Sequence, residues 1–183
     1  MNKIDAPVWT SDTVAADLER AILEHRLPPG TKLGEDDLGE AYGISRTLVR
    51  AALLALSHRH LVELKRNRGA FVAQPSVREA REVFEARALL EPRTARSAAH
   101  RMTDAALAKL QDNIRDEHIA LDAGDNGHAL FLSGQFHVEI ARIADQATIE
   151  TFVSQLISRS SLIIALYWRR RAALCETQAH HAL

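Results

Sequence analysis

The chain has 183 residues, 46% hydrophobic and 26% charged, with a formal net charge of -1. That is the composition of a soluble globular protein with apolar mass for one large domain or two small ones. The longest apolar run, Leu162 to Trp168, falls far short of the ~20 residues of a membrane span. The N-terminus carries no apolar run of the signal-peptide kind, and the single cysteine, Cys175, excludes an internal disulfide framework. A reducing cytoplasm and no membrane partner are therefore expected.

Ser11 or Asp12 is placed to cap a first helix running to about Arg26, with Val14, Leu18 and Ile22 on its inner side. Pro28-Pro29-Gly30 closes it, because proline cannot continue a helix and glycine permits the turn. A short extended piece, Thr31-Lys32-Leu33, leads to a second helix from Glu35 to about Tyr42, with Leu38, Ala41 and Tyr42 expected inward. Its first three residues are acidic, which suits the positive end of a helix dipole. They would repel a nucleic-acid backbone, so that end is not expected to face one.

Gly43 breaks the second helix from a third, and Ser45 is a natural N-cap. Val49, Ala52, Leu53 and Leu56 form a buried stripe, whereas Arg46, Thr47 and Arg50 fall off it within the first turns. Guanidinium groups and a hydroxyl at the start of such a helix can reach base edges and phosphates in a major groove. Two extended runs follow, Leu61 to Lys65 and Ala70 to Ala73, joined by Arg66-Asn67-Arg68-Gly69. A hairpin with a cationic tip after a recognition-type helix is a wing, able to enter a minor groove or clamp phosphate. From Ile44 to Gln74 six cations stand against Glu63 alone. Local charge thus favours a phosphate backbone although the total does not.

Taken together, Leu18…Ile22…Leu27-Pro28-Pro29-Gly30…Leu33…Asp37-Leu38…Gly43-Ile44-Ser45-Arg46-Thr47…Val49-Arg50-Ala51-Ala52-Leu53…Leu56…Gly69-Ala70-Phe71-Val72 resembles the winged helix-turn-helix of GntR-type bacterial transcription regulators. The resemblance implies that Ser45, Arg46, Thr47 and Arg50 touch DNA, and that wing residues Arg66, Asn67, Arg68 and Gly69 do too. Ala51 departs from the pattern, since many members carry Glu there. That position supports the helix rather than reading bases.

Pro75-Ser76 marks a boundary between a domain at 8–75 and a second at 77–183. The second reads as helical throughout. Val77 to about His100 carries Ala80, Phe84 and Ala88 on one side, with Pro92 expected to kink or divide it. Thr103 and Asp104 begin a helix to about Ala123, with Leu107, Leu110, Ile114 and Leu121 inward. His128 to Asp145 forms another. From Thr148 to Trp168 a stripe of Ile149, Phe152, Val153, Leu156, Ile157, Ser160, Ile163, Ile164 and Tyr167 is wide enough for the core of a bundle. The fold expected is mainly α, a winged helix-turn-helix of three helices and a hairpin followed by an all-α bundle.

No nucleophile sits in an elbow or glycine-rich loop, so no catalytic set is legible. On spacing, His137 shares a face with Ala141 and Ala144 and reads more readily as a hydrogen-bonded core residue than as a ligand. However, Phe84 to Glu91, Phe136-His137 and His180-His181-Ala182-Leu183 resemble the FCD effector domain of the FadR branch of these regulators. Such domains are all-helical, dimerise, and commonly bind small carboxylates, in many members through a divalent metal such as zinc or nickel.

In that resemblance His137 and His180 match two metal ligands. Ser133 stands where the family has Asp, and a hydroxyl is a poor substitute for a carboxylate. The third histidine would lie beyond Leu183, so an incomplete domain is expected. Arg87 matches an arginine near the family pocket and could pair with a carboxylate effector. It equally fits an i, i+4 salt bridge with Glu91.

The function expected is an operator-binding regulator, homodimeric on double-stranded DNA and modulated by a small organic acid. Two alternatives remain: a DNA-binding form with no working effector or metal site, and a small metal-dependent enzyme using His137 and the His180 region. The enzyme lacks a coherent third ligand.

Overall fold

The computed structural model describes residues 9–180, with side-chain surroundings described through Tyr167. An N-terminal head of three helices and a three-stranded sheet comes first, and four longer helices follow.

In the head, α1 (Ser11–Leu23) is capped by Thr10 rather than by Ser11 or Asp12. Thr10 and Thr13 exchange hydrogen bonds in a reciprocal capping box. The helix ends at Leu23, short of Arg26, because His25 adopts a left-handed φ of 63° and turns the chain. After β1 (Lys32–Leu33), α2 (Glu35–Tyr42) ends on Gly43, whose φ of 64° is the left-handed conformation that a glycine adopts at least cost.

Helix α3 (Arg46–His58) is capped by the Ser45 hydroxyl, which accepts from the Leu48 amide. Its stripe of Val49, Ala52, Leu53 and Leu56 packs with Val14, Leu18 and Ile22 of α1, all at most 2% exposed. Burial of each larger aliphatic side chain stabilises the head by about 1.5–3 kcal/mol. Leu38 and Tyr42 of α2 pack on that core only partly buried, and Ala41 is exposed instead of inward. The Tyr42 hydroxyl donates to Asp17 at 2.6 Å, tying α2 to α1.

Strands β2 (Val62–Lys65) and β3 (Gly69–Val72) pair antiparallel with Lys65 opposite Gly69, and β1 joins the other edge of β3. This is the wing, with its tip at residues 66–68.

The second part begins with α4 (Val77–Ala99), capped reciprocally by Ser76 and Glu79. Pro92 lies inside this helix without dividing it. It sits on an exposed side, where solvent can satisfy the carbonyl that its missing N–H leaves. The buried residues of α4 are Val83, Thr94 and Ala98, whereas Phe84 and Ala88 of the expected inner face are exposed.

Helix α5 (Asp104–Asp122) buries Leu110 and Ala120, while Leu107, Ile114 and Leu121 are each at least 40% exposed among the described residues. Helix α6 (Asn126–Ile143) lies between α5 and α7 (Ala147–His180). The segment Ala147–Tyr167 of α7 is long and apolar enough by length and composition to cross a membrane, although Glu150 and Arg159 interrupt it and its uninterrupted apolar runs stay short. It packs against α4 and α6, with Val153, Ile157, Ser160, Ile163 and Ala165 buried. Phe152 and Tyr167 of the expected stripe are exposed.

The two parts are docked. Leu162 of α7, 1% exposed, belongs to the hydrophobic core of the head, and Phe131 of α6 packs against the same cluster. Glu24 accepts from Arg20, Arg26 and the ring of His128, and Ser158 donates to Glu19. Gly127 lies so close to Glu24 that a Cβ there would overlap the Glu24 carbonyl.

Candidate DNA-reading surface and effector pocket

The core stripe of α3 points into the head, which forces the remaining side chains of its first turns outward. Ser45, Arg46, Thr47 and Arg50 are all exposed, as are Arg66, Asn67, Arg68 and Gly69 at the wing tip. The tip is shaped by left-handed φ values at Asn67 (57°) and Gly69 (94°), with the Arg68 amide donating to the Lys65 carbonyl at 3.0 Å. Arg50, Lys65, Arg66, Asn67 and Gly69 line one cleft of about 560 Å³ between helix and wing, floored by Leu53, Leu54, Leu64 and Ala70. Arg46 and Thr47 lie one turn before Arg50 on the same helix. The Ser45 hydroxyl is engaged in capping α3, accepting from the Leu48 amide.

Expectation and structure part over the acids of α2. The Arg46 Nε lies 2.6 Å from Asp36 Oδ1, and the Arg50 Nε donates to Glu35 Oε2 at 2.7 Å. The acidic start of α2 thus adjoins Arg46 and Arg50 instead of facing away. Arg66 and Arg68 form no ion pair among the described residues. Lys65 pairs with Glu63 at 3.0 Å and lies over the Phe71 ring.

In the bundle, α4, α6 and α7 surround a cleft of about 470 Å³ whose walls include Phe84, Arg87, Glu91, Phe136, His137, Ile140 and Val153. Glu91 is its hub. Its carboxylate takes the Arg87 Nε at 2.5 Å and lies 3.0 Å from His137 Nδ1. Burial pushes the Glu91 carboxyl up, but hydrogen bonds from His137 and Arg87, with the charge of Arg87, outweigh it and hold the group at about 2. A further Arg87 nitrogen donates to Ser160, which is fully buried on α7. The i, i+4 ion pair is therefore formed, in the pocket where an effector contact was expected. The sequence did not indicate Ser160 as a partner, because nothing local links residues 73 positions apart.

The described residues do not by themselves make a metal cradle. No group of three His, Cys, Asp or Glu side chains suited to a metal occurs among the described residues. Ser133 is on α6 one turn before His137, but one His137 nitrogen already faces Glu91. The side chain of His180 lies outside the described residues. Among the described residues His137, Glu91 and the Ser133 hydroxyl give only two ionisable donors of the kind a metal takes, short of a three-point site.

The family model for bacterial regulatory proteins of the gntR family matches residues 10–72, and that for the FCD domain matches residues 82–183. The chain belongs to the GntR family, with an FCD domain. This GntR-family chain is 29% identical over 128 residues to the HTH-type transcriptional repressor RspR of Escherichia coli (strain K12), spanning 70% of the chain and 56% of that protein. It is 26% identical over 160 residues to the Nta operon transcriptional regulator of Aminobacter aminovorans, spanning 86% and 75%. The chain thus spans little more than half the length of RspR. E. coli McbR/YncC has the same fold, with a TM-score of 0.78 at 24% identity over 89% of this chain and 77% of that one.

Proposed function

We propose that this GntR-family chain is a cytoplasmic transcription regulator that reads operator DNA with α3 and the wing, and whose operator affinity responds to a small organic acid in the α4–α6–α7 cleft. The observation that carries the reading is the cleft between helix and wing, where Arg50, Lys65, Arg66 and Asn67 lie together on an apolar-cored head. Arg46, Thr47 and Arg50 would meet base edges and flanking phosphates, while Arg66, Asn67, Arg68 and Gly69 would follow the adjacent groove or backbone. A homodimer on a two-fold symmetric operator fits this geometry, since one head presents one helix to one half-site.

The organic acid would enter beside Arg87 and compete with Glu91 for its guanidinium. Glu91, Arg87, His137 and Ser160 form one hydrogen-bonded set spanning α4, α6 and α7. A ligand that takes Arg87 would therefore disturb the packing of α7, and α7 also reaches the head core through Leu162. That continuity is a physical route for coupling ligand to head position. No step of this mechanism uses a zinc or nickel ion.

The test is titration against an operator enriched from a random-sequence duplex pool, at several salt concentrations. Arg50→Ala is expected to weaken operator binding and relax sequence preference. Arg68→Ala is expected to weaken binding to all sequences and reduce the salt slope by about one. Wild-type behaviour of both variants would remove the assignment of this face.

A further inference from the structure

Glu35 and Asp36 stand at the N-terminus of α2, each bonded to an arginine of the surface that the preceding reading places against DNA. Their position in the sequence does not explain this. Fifteen residues and the Gly43 turn separate Glu35 from Arg50, and only the packing of α2 across α3 brings them together. Neither ion pair belongs to the core. Arg46 and Asp36 are both about two-thirds exposed, and the Arg50 side chain is 66% exposed. Exposed pairs of this kind contribute little to folding stability. Glu35 also lines the helix–wing cleft together with Arg50, Lys65, Arg66 and Asn67. A carboxylate there is adverse to every phosphate that approaches.

We propose that Glu35 and Asp36 are specificity-determining residues, occupying the guanidinium groups of Arg50 and Arg46 so that generic phosphate contacts are penalised more than base contacts. The proposal rests on the reading of α3 as the DNA-contacting helix. On non-specific DNA an arginine gains only a phosphate, which is roughly equivalent to the carboxylate it must leave or share. On the correct site the same guanidinium can bond a base edge bidentately while its Nε stays on the carboxylate, so the acid then orients the reading group instead of competing with it. Asp37, next in sequence, provides the comparison. It carries the same charge on the same turn but forms no ion pair among the described residues.

The experiment uses the full chain, a short duplex of mixed sequence, and the enriched operator. Glu35→Gln is expected to tighten binding to the mixed-sequence duplex about fivefold, steepen its salt dependence by about one in log–log slope, and change operator affinity less, so that discrimination falls. Asp37→Asn, with the same change in net charge, is expected to shift mixed-sequence binding by less than about twofold. In the background of Arg50→Ala the gain from Glu35→Gln is expected to vanish, as a double-mutant cycle requires if the two groups act together.

An equal gain from Asp37→Asn, or a gain from Glu35→Gln that survives Arg50→Ala, would mean that bulk charge alone is at work and would overturn the proposal. If Arg50→Ala weakens binding while Glu35→Gln does nothing, the proposal fails and the reading of α3 stands. If Arg50→Ala matches wild type on both duplexes, the reading of α3 itself fails.

Discussion

Glu91 is held between Arg87 on its own helix and His137 on α6, and its carboxyl lies at about 2 instead of the ordinary 4.5. Because the folded value is depressed, the stabilisation it brings is complete above the unfolded value and is lost as pH falls from 4.5 towards 2. Glu91→Gln is expected to lower the free energy of unfolding by about 1–2 kcal/mol at neutral pH, with the gap from wild type closing on acidification. Denaturant melts at a series of pH values read this directly. The same substitution removes the internal competitor for Arg87. An organic acid that raises the melting temperature of the wild type should therefore raise that of Glu91→Gln further. A smaller rise would argue that the acid binds elsewhere.

At the scale of the element, the helix-turn-helix depends on a sharp reversal at Gly43. A side chain there would meet nothing within 4 Å, so the cost of adding one is set by the backbone alone, at φ +64°. Gly43→Ala is expected to destabilise the head by about 1 kcal/mol, and Gly43→Asn by less, because asparagine tolerates the left-handed region. Thermal unfolding of the two variants distinguishes this backbone cost from a packing defect, which would penalise the larger asparagine more. Helix α2 has no fully buried residue and is held by the partly buried Leu38 and Tyr42 and by the Tyr42–Asp17 hydrogen bond, with the two exposed arginine pairs adding little. Small displacements of α2 therefore bear directly on the orientation of Arg46 and Arg50.

At the scale of the whole molecule, the head and the bundle share a core residue. Leu162 is 1% exposed on a helix of the bundle, yet packs with the head. Leu162→Ala is expected to cost about 2–5 kcal/mol by transfer and cavity terms. Because that loss falls at the junction, it should also separate one cooperative unfolding transition into two, measured by near-ultraviolet dichroism against calorimetry. Glu24 adds a polar latch at the same junction. Burial would raise its carboxyl, but Arg20, His128 and Arg26 bring it below the ordinary value, so it stays charged and bonded at neutral pH.

Much of this was legible in the amino-acid order. The α3 stripe, the Ser45 and Ser76 caps, the Gly43 turn and the cationic hairpin tip follow from local rules of spacing, capping and backbone freedom, and neighbours along the chain suffice to express them. The faces of the longer helices were less legible. Helix α4 turns Val83, Thr94 and Ala98 inward and leaves Phe84 and Ala88 exposed, and α5 leaves Leu107, Ile114 and Leu121 open among the described residues. An apolar residue at helical spacing states that a helix has a stripe, but the neighbour it packs against lies elsewhere in the chain. For the same reason the pairing of Glu35 with Arg50, of Arg87 with Ser160 and of Leu162 with the head came from packing, because each joins residues that no local interaction connects.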